Sequence, residues 1–414
     1  MSAPLRIGLI SQEYPPDTAR GGIGTQTWNK ARALAALGHR VRVLSCAAKP
    51  GPDPQVSEHD GVTVYRLRPP GDDFPVYGQA AYWLGYSWAV LGHLSRLMKE
   101  EPMDVLDVAE YGAEGFAYLL DRTAWNWAPV VVQLHGPLSM LAERIGWPEP
   151  DSDLSRIGIW MEDLCLQRAD ALMACSANIA DFVAVRHGVA RKSIDVVHCG
   201  VDAAGFQRAG PGDESPRPTV LFVGNIVANK GARTVFEAVL GLRRKYPDIH
   251  LRLFGKPDEE LVRHLQARAA AAGAQANVEF GGFAGRAELP ALYRQSHVFC
   301  SPAQHEGGVA NVYLEAMASG RPVVASTSGG AAEAVLPGET GLLVPPGDAA
   351  ATAAALDRIL GDAALRARMG EAARRRVDEY FAMPRYIARV LAVYRRAMAA
   401  GEAARRRLLD REES

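Results

Sequence analysis

"TVLFVGNIVANKGARTVFEAV", residues 219–239, opens with a run of β-forming residues, turns at a glycine, passes a short loop ending in Lys-Gly, and then takes up helical spacing. A strand that leads through glycine into a helix is the first half of a parallel βαβ unit. Its position is what decides the fold. Just before it lies "QRAGPGDESPRP", residues 207–218, whose prolines, glycines and charges continue neither strand nor helix. The stretch therefore begins a domain afresh, and the residues before the linker must form another.

Working outward, short β-branched runs alternate with longer helical stretches on both sides of the linker. The pattern predicts strands over 7–11, 41–45, 62–67, 105–108, 130–134 and 171–175 in the first domain, residues 1–206. In the second, residues 219–383, it predicts strands over 219–223, 250–254, 278–280, 298–301, 322–326 and 341–344. With 414 residues and 48% hydrophobic content, the chain is too long for one ordinary core and has apolar surface enough for two. Two α/β domains with parallel sheets are the expectation.

A net charge of −1 leaves no electrostatic footprint for nucleic acid. The charge is divided unevenly, at about −6 through Phe206 and about +5 after it, so the second domain is the better host for an anion. The start has no secretory pattern and no apolar run reaches the roughly 18 residues of a spanning helix. Cys46, Cys165, Cys175, Cys199 and Cys300 are odd in number and scattered, which suits reduced thiols in the cytoplasm and neither a disulfide framework nor a zinc site. The aromatic stretch "YGQAAYWLGYSWAVLGHL", residues 77–94, is expected to pack Trp83, Tyr86 and Trp88 in a core; acceptor or membrane contact is the weaker reading. Interleaved acids in the charged tail, 401–414, favour a solvated helix end over a membrane-surface helix.

Three strand-to-helix loops carry chemistry. In "SQEYPPDTARGGIGTQTWNKARALAALGHRVRVLS", residues 11–45, Gly21, Gly22 and Gly24 precede a helix expected over 25–37, so backbone can approach a ligand at a helix start. No Gly-x-Gly-x-x-Gly is present, which leaves a dinucleotide fingerprint unsupported. In the opening stretch, Gly224 follows the strand and Lys230 stands beside helix-start amides, where an ammonium suits a diphosphate. In "AQHEGGVANVYLEAMASGRPVVAS", residues 303–326, Gly307, Gly308, Val309 and Ala310 would offer N–H groups before a helix over 311–319 capped by Asn311. One turn in, Glu315 reads either as a helix stabiliser or as an acceptor for a vicinal diol. Gly329, Gly330 and Glu333 begin a further helix, so three glycine-bearing loops of the second domain point together to the crevice beyond its strands' carboxyl ends.

"EYPP" with "GGIG", "HCGVD" with Phe206, "VLFVGNIVANKG", "HEGGVANVYLEAMASGRPVVAS", "GGAAEAV" and "GETGLLVPPGD" together resemble the retaining, sugar-nucleotide-dependent glycosyltransferases of family 4, over nearly the whole chain. The resemblance implies the GT-B fold: two Rossmann-like, doubly wound parallel-sheet domains facing across a cleft, acceptor mainly on the first and donor on the second. It also implies that a C-terminal helix, 384–400, returns to the first domain. Residue by residue, Gly22 would approach the donor phosphates or acceptor, and His135 in "VVVQLHGPL" would contact the transferred sugar. Gly224, Asn225 and Lys230 would lie at the diphosphate, with Lys230 neutralising the leaving group. Glu306 would bind sugar hydroxyls, Glu315 the ribose, and Gly282 with Phe283 would wrap the base. Gly307 to Asn311 would line the donor, and Glu110, Tyr111 and Glu114 would line the acceptor.

The chain departs from the family pattern twice. Asn225 stands where the family has an arginine, and eight residues separate Glu306 from Glu315 where the family has seven, which puts Gly307 at the expected glutamate position. The expected reaction is hexosyl transfer from a UDP- or GDP-sugar to an acceptor hydroxyl with retention, aided by amide dipoles and Lys230, with no cofactor, metal or dedicated base. The one Asp-x-Asp, Asp151 to Asp153, lies before a helix, where capping is the expected role. Two alternatives stay open: an epimerase or hydrolase of the same fold, and a sugar-nucleotide-binding protein with weakened catalysis.

Overall fold

The structure is a computed structural model describing residues 3–18, 21–72, 75–207, 210 and 213–412. It divides into two compact units. One contains residues up to Cys199 together with those from Pro384 onward; the other is Gly200–Met383.

Among the described residues the first unit has an eight-stranded sheet. Its strands are β1 Arg6–Ile10, β2 Arg40–Cys46, β3 Gln55–His59, β4 Val62–Leu67, β5 Val105–Ala109, β6 Val130–Leu134, β7 Ala171–Ala174 and β8 Ile194–Val196. Their order is β3-β4-β2-β1-β5-β6-β7-β8, parallel except where β3 runs against β4. β5 and β6 are buried along their whole length, as expected of central strands covered by helices on both faces. The edges, β3 "QVSEH" and β8 "IDV", are short or polar, and the hydrophobic pattern predicts neither.

The second unit's sheet, six-stranded among the described residues, is β9 Thr219–Val223, β10 His250–Phe254, β11 Val278–Gly282, β12 Val298–Ser301, β13 Val323–Ser326 and β14 Gly341–Val344. The order is β11-β10-β9-β12-β13-β14, parallel throughout, and it reverses beside β9, where doubly wound sheets place their ligands.

The boundary falls earlier than composition suggests. Val201 bridges Ala382 and donates its N–H to the Phe381 carbonyl at 2.9 Å, and the Phe206 ring meets Tyr293 edge-on at 5.8 Å. Residues 200–206 therefore belong to the second unit. Residues 208, 209, 211 and 212 of the expected linker lie outside the described residues.

The C-terminal helix, Met383–Glu412, is longer than the predicted 384–400 and packs on the first unit. It covers a buried polar network: Lys30 Nζ donates to Asp107 at 2.6 Å and to Gln133 at 2.5 Å, the Tyr394 hydroxyl donates to Asp107, and Gln26 donates to the Tyr386 hydroxyl at 3.0 Å. Trp83 and Tyr86 are buried as expected, but Trp88 is 60% exposed, because it follows Leu84 on the outward face of the helix Gln79–Glu100. No described helix is long and apolar enough to cross a membrane.

Candidate active site

The carboxyl ends of β9, β11, β12 and β13 carry the second unit's predicted residues. Gly224 ends β9 with φ 145°, and the neighbouring Gly255 lies so close that a Cβ on it would stand 1.9 Å from the Gly224 oxygen. The strand ends meet there backbone to backbone, which only glycine permits. Asn225 is exposed. The loop then makes one short helical turn, Ala228–Lys230, and Gly231, at φ 81°, begins the helix Ala232–Leu242. A Cβ on Gly231 would lie 2.3 Å from the Pro302 oxygen, so this glycine lets the Lys230 loop close onto the end of β12.

Lys230 Nζ donates to Glu306 Oε2 at 2.7 Å, with both side chains part-exposed. The lengthened loop therefore still delivers the glutamate to the lysine. The extra residue is accommodated by close glycine contact with the next loop. Glu306 bridges Gly329, its oxygen accepts the Gly330 N–H at 2.8 Å, and a Cβ on Gly330 would meet Gly307 and Gly308 at 2.8–2.9 Å. Gly308 and Val309 are buried; Gly307, Ala310 and Asn311 are partly exposed.

The helix after this loop is Asn311–Ala318, with Ala310 at the cap position and no side-chain cap bond. Asn311 is thus its first residue and not its cap. Glu315 lies in its second turn, buried, and accepts the Tyr293 hydroxyl at 2.9 Å. Burial raises its pKa to about 7, against the stabilising effect of that bond. Tyr293, 22 positions away, had no signal in the sequence beyond a place in a helical run. Gly282 closes β11 at φ 68°, its oxygen takes the Gly255 N–H at 2.7 Å, and Phe283 follows, 70% exposed.

In the first unit the glycine loop starts its helix sooner than predicted. The helix is Gly22–Ala36, with Gly21 extended at the cap and Gly22 as first residue. Glu13, the acid of "EYPP", lies against it: a Cβ on Gly21 would stand 3.0 Å from Glu13 Oε2 and one on Gly24 2.8 Å from its Cβ. A carboxylate of the protein thus sits at the helix start, where Gly22 is expected to meet donor phosphates or acceptor.

His135 follows β6, and burial, with Lys30 adding to it, lowers its pKa to about 3, so the imidazole is neutral. Glu110 and Glu114, expected to line an acceptor, are buried and bonded to main chain. Glu110 Oε1 accepts from His135 and Gly136, and Glu114 Oε1 accepts the Gln12 N–H at 2.8 Å. Burial drives Glu110 up to about 8 and Glu114 well above the usual carboxyl range. Tyr111, between them in sequence, is partly exposed and meets Trp83 edge-on at 5.2 Å.

Among the described residues, no three His, Cys, Asp or Glu side chains converge to hold a metal ion. In the Asp-x-Asp, Ser152 caps locally, its hydroxyl accepting the Ser155 N–H at 3.1 Å. Asp153 instead reaches the distant start of the helix Gln79–Glu100, accepting the Ala80 N–H at 2.9 Å.

Known proteins match along most of the chain. Residues 21–200 match the glycosyl transferase 4-like domain and residues 205–376 the glycosyl transferases group 1. A glycogen synthase of Mycobacterium tuberculosis is 29% identical over 393 residues, 91% of each chain. A GDP-mannose-dependent alpha-(1-6)-phosphatidylinositol monomannoside mannosyltransferase of Mycolicibacterium smegmatis is 30% identical, over 88% of this chain and 92% of that one. The solved structure of a sucrose-phosphate synthase from Thermosynechococcus elongatus superposes with TM-score 0.80 at 25% identity, over 95% of this chain and 99% of that one. With two parallel-sheet domains and these relatives, the chain belongs to the family 4 glycosyltransferases of GT-B fold and is a glycosyltransferase.

Proposed function

We propose that the enzyme transfers a hexosyl group from a UDP- or GDP-sugar to an acceptor hydroxyl with retention at the anomeric carbon. The observation that carries this reading is the Lys230–Glu306 ion pair beside the start of the helix Asn311–Ala318, with Glu315 one turn further on. An ammonium, helix-start N–H groups and two carboxylates match in turn a diphosphate, its sugar hydroxyls and a ribose diol. GDP is kept among the donors because one relative is by name GDP-mannose-dependent.

In the transfer, the bond from the anomeric carbon to the donor's phosphate oxygen breaks and one to the acceptor oxygen forms on the same face. The acceptor proton passes to the departing phosphate oxygen, so no protein base is needed. Lys230 releases Glu306 and stabilises the charge that develops on the diphosphate. His135, neutral throughout the physiological range, acts as a hydrogen-bonding group and not as a cation. The enzyme needs no metal. All five cysteines are buried thiols, which supports the reducing cytoplasm as its location.

A thermal-shift panel of UDP, GDP and ADP with their hexose conjugates tests the donor, because a ligand of the native state raises stability according to its affinity. One uridine or guanosine conjugate is expected to stabilise strongly and to turn over in chelator. Free hexose released at undiminished rate whatever acceptor is present would refute transfer, and activity lost in chelator and restored by magnesium would refute metal independence.

A further inference from the structure

The turn between β6 and the helix Leu138–Ile145 reads His135-Gly136-Pro137-Leu138-Ser139. Proline has no N–H, so the turn carries four main-chain donors. All four end on two buried carboxylates. Glu110 Oε1 accepts the His135 and Gly136 N–H groups at 2.5 Å each. Glu162 Oε2 accepts the Leu138 N–H at 2.5 Å, while its Oε1 takes the Ser139 N–H at 3.2 Å and the Ser139 hydroxyl at 2.6 Å.

Each glutamate is 1% exposed, and each comes from a different element, the end of β5 and the helix Ile159–Arg168. Two buried acids are a costly way to close a turn, because each loses its hydration and each opposes the other's ionisation. What they provide is rigidity: one oxygen of Glu110 ties two main-chain donors together and the two oxygens of Glu162 tie three donors, so no part of the turn moves alone. Glu162 is braced in turn, since the Ser139 hydroxyl meets His187 Nε2 at 2.9 Å and His187 Nδ1 pairs with Asp163. On the other side, the Cys175 thiol lies 3.7 Å from the His135 carbonyl oxygen. The main chain of His135 is thus held at both its N–H and its C=O.

We infer that Glu110 and Glu162 are positioning residues for the transfer reaction, a pair of carboxyl brackets that hold the 135–139 turn and so fix where His135 acts. The inference rests on the reading of His135 as a catalytic group. It separates the glutamates' work from ligand binding: they act through the turn, and donor affinity does not depend on them.

Amide hydrogen exchange and steady-state kinetics on the full chain test it together. In Glu110→Ala, exchange at 135 and 136 is expected to accelerate at least tenfold while 138 and 139 stay protected; Glu162→Ala reverses the pattern. Both variants lower kcat by about 10²-fold, the scale for a catalytic group misplaced by about an ångström, with donor KM and nucleotide affinity unchanged. Glu110→Gln, whose carbonyl oxygen still reaches both amides, recovers most of the loss. Should Glu110→Ala not fold, Glu110→Asp, too short to serve both donors, is read in its place. Unchanged exchange at 135 and 136, or a fall in donor affinity equal to the fall in kcat, overturns the inference. If His135→Ala itself leaves kcat intact, the reading of His135 fails and takes the brackets with it. If His135→Ala is slow while the glutamate variants are not, the brackets alone fail.

Discussion

Each unit collects carboxylates at the carboxyl ends of its strands, and the two sets are built in opposite ways. In the first unit Glu110, Glu114 and Glu162 are turned inward, bonded to main-chain N–H groups, and raised in pKa by burial. In the second, Glu306 keeps some exposure and pairs with an ammonium that is itself one-third exposed. A carboxylate bonded to backbone amides is scaffolding, since its partners cannot leave without unfolding the turn. One paired with a lysine is exchangeable, since the lysine can move to a phosphate at little cost. Glu315 lies between these types, buried but bonded to a phenol.

Removing the exchangeable cation should have the largest effect. Lys230→Ala is expected to slow turnover by roughly 10²–10³-fold, the scale seen when a group stabilising developing charge is lost. A residual rate near wild type would make the pair scaffolding after all. Next in size is a change that deletes no polar group. Gly329 has φ 97°, and a Cβ there would stand 1.9 Å from the Glu306 oxygen. Gly329→Ala should therefore displace Glu306 and cut turnover by about 10²-fold, with a smaller change in nucleotide affinity measured by calorimetry.

Glu315 offers a finer distinction. With a pKa of about 7 it gains its charge between pH 6 and 8, and the ionised form is the better acceptor for ribose hydroxyls. Nucleotide affinity should tighten by up to about tenfold over that range, and Glu315→Gln should flatten the dependence. The smallest effect is on stability. Glu110 keeps its proton to about pH 8 in the folded state, while the unfolded chain has released it by about pH 5. Across that window the native state binds more protons, so stability falls as pH rises and levels off above about 8. Glu114 and Glu162, which face it, shift in the same direction. His135, lowered to about 3, has the opposite slope, but only below about pH 6.5. From pH 7 to 8 the melting temperature should drop by on the order of 2–4 °C, less in Glu110→Gln.

The interior strands of both sheets were legible because their apolar runs serve two buried faces; β3 and β8 were not, because edge strands need no such run. The helix at Gly22 began early because its first turn is glycine-rich, which propensity counts against a helix. The second unit's strand-to-helix loops were largely legible, since strand, glycine and helix follow one another locally in the chain. What escaped were partners far apart in sequence: Tyr293 with Glu315, Asp153 with Ala80, and Glu162 with Leu138. The acids of "AEYGAEG" were visible, but not that both would be buried against main chain.

The long C-terminal helix bears on the order of assembly during synthesis. The second unit, Gly200–Met383, is continuous in the chain and can fold as soon as it has emerged. The first unit cannot finish then, because Asp107 and Gln26 await Tyr394 and Tyr386. The half of the protein that leaves the ribosome first is therefore completed last, and until then its Lys30–Asp107 pair lies under an open seam that a chaperone or a protease can find.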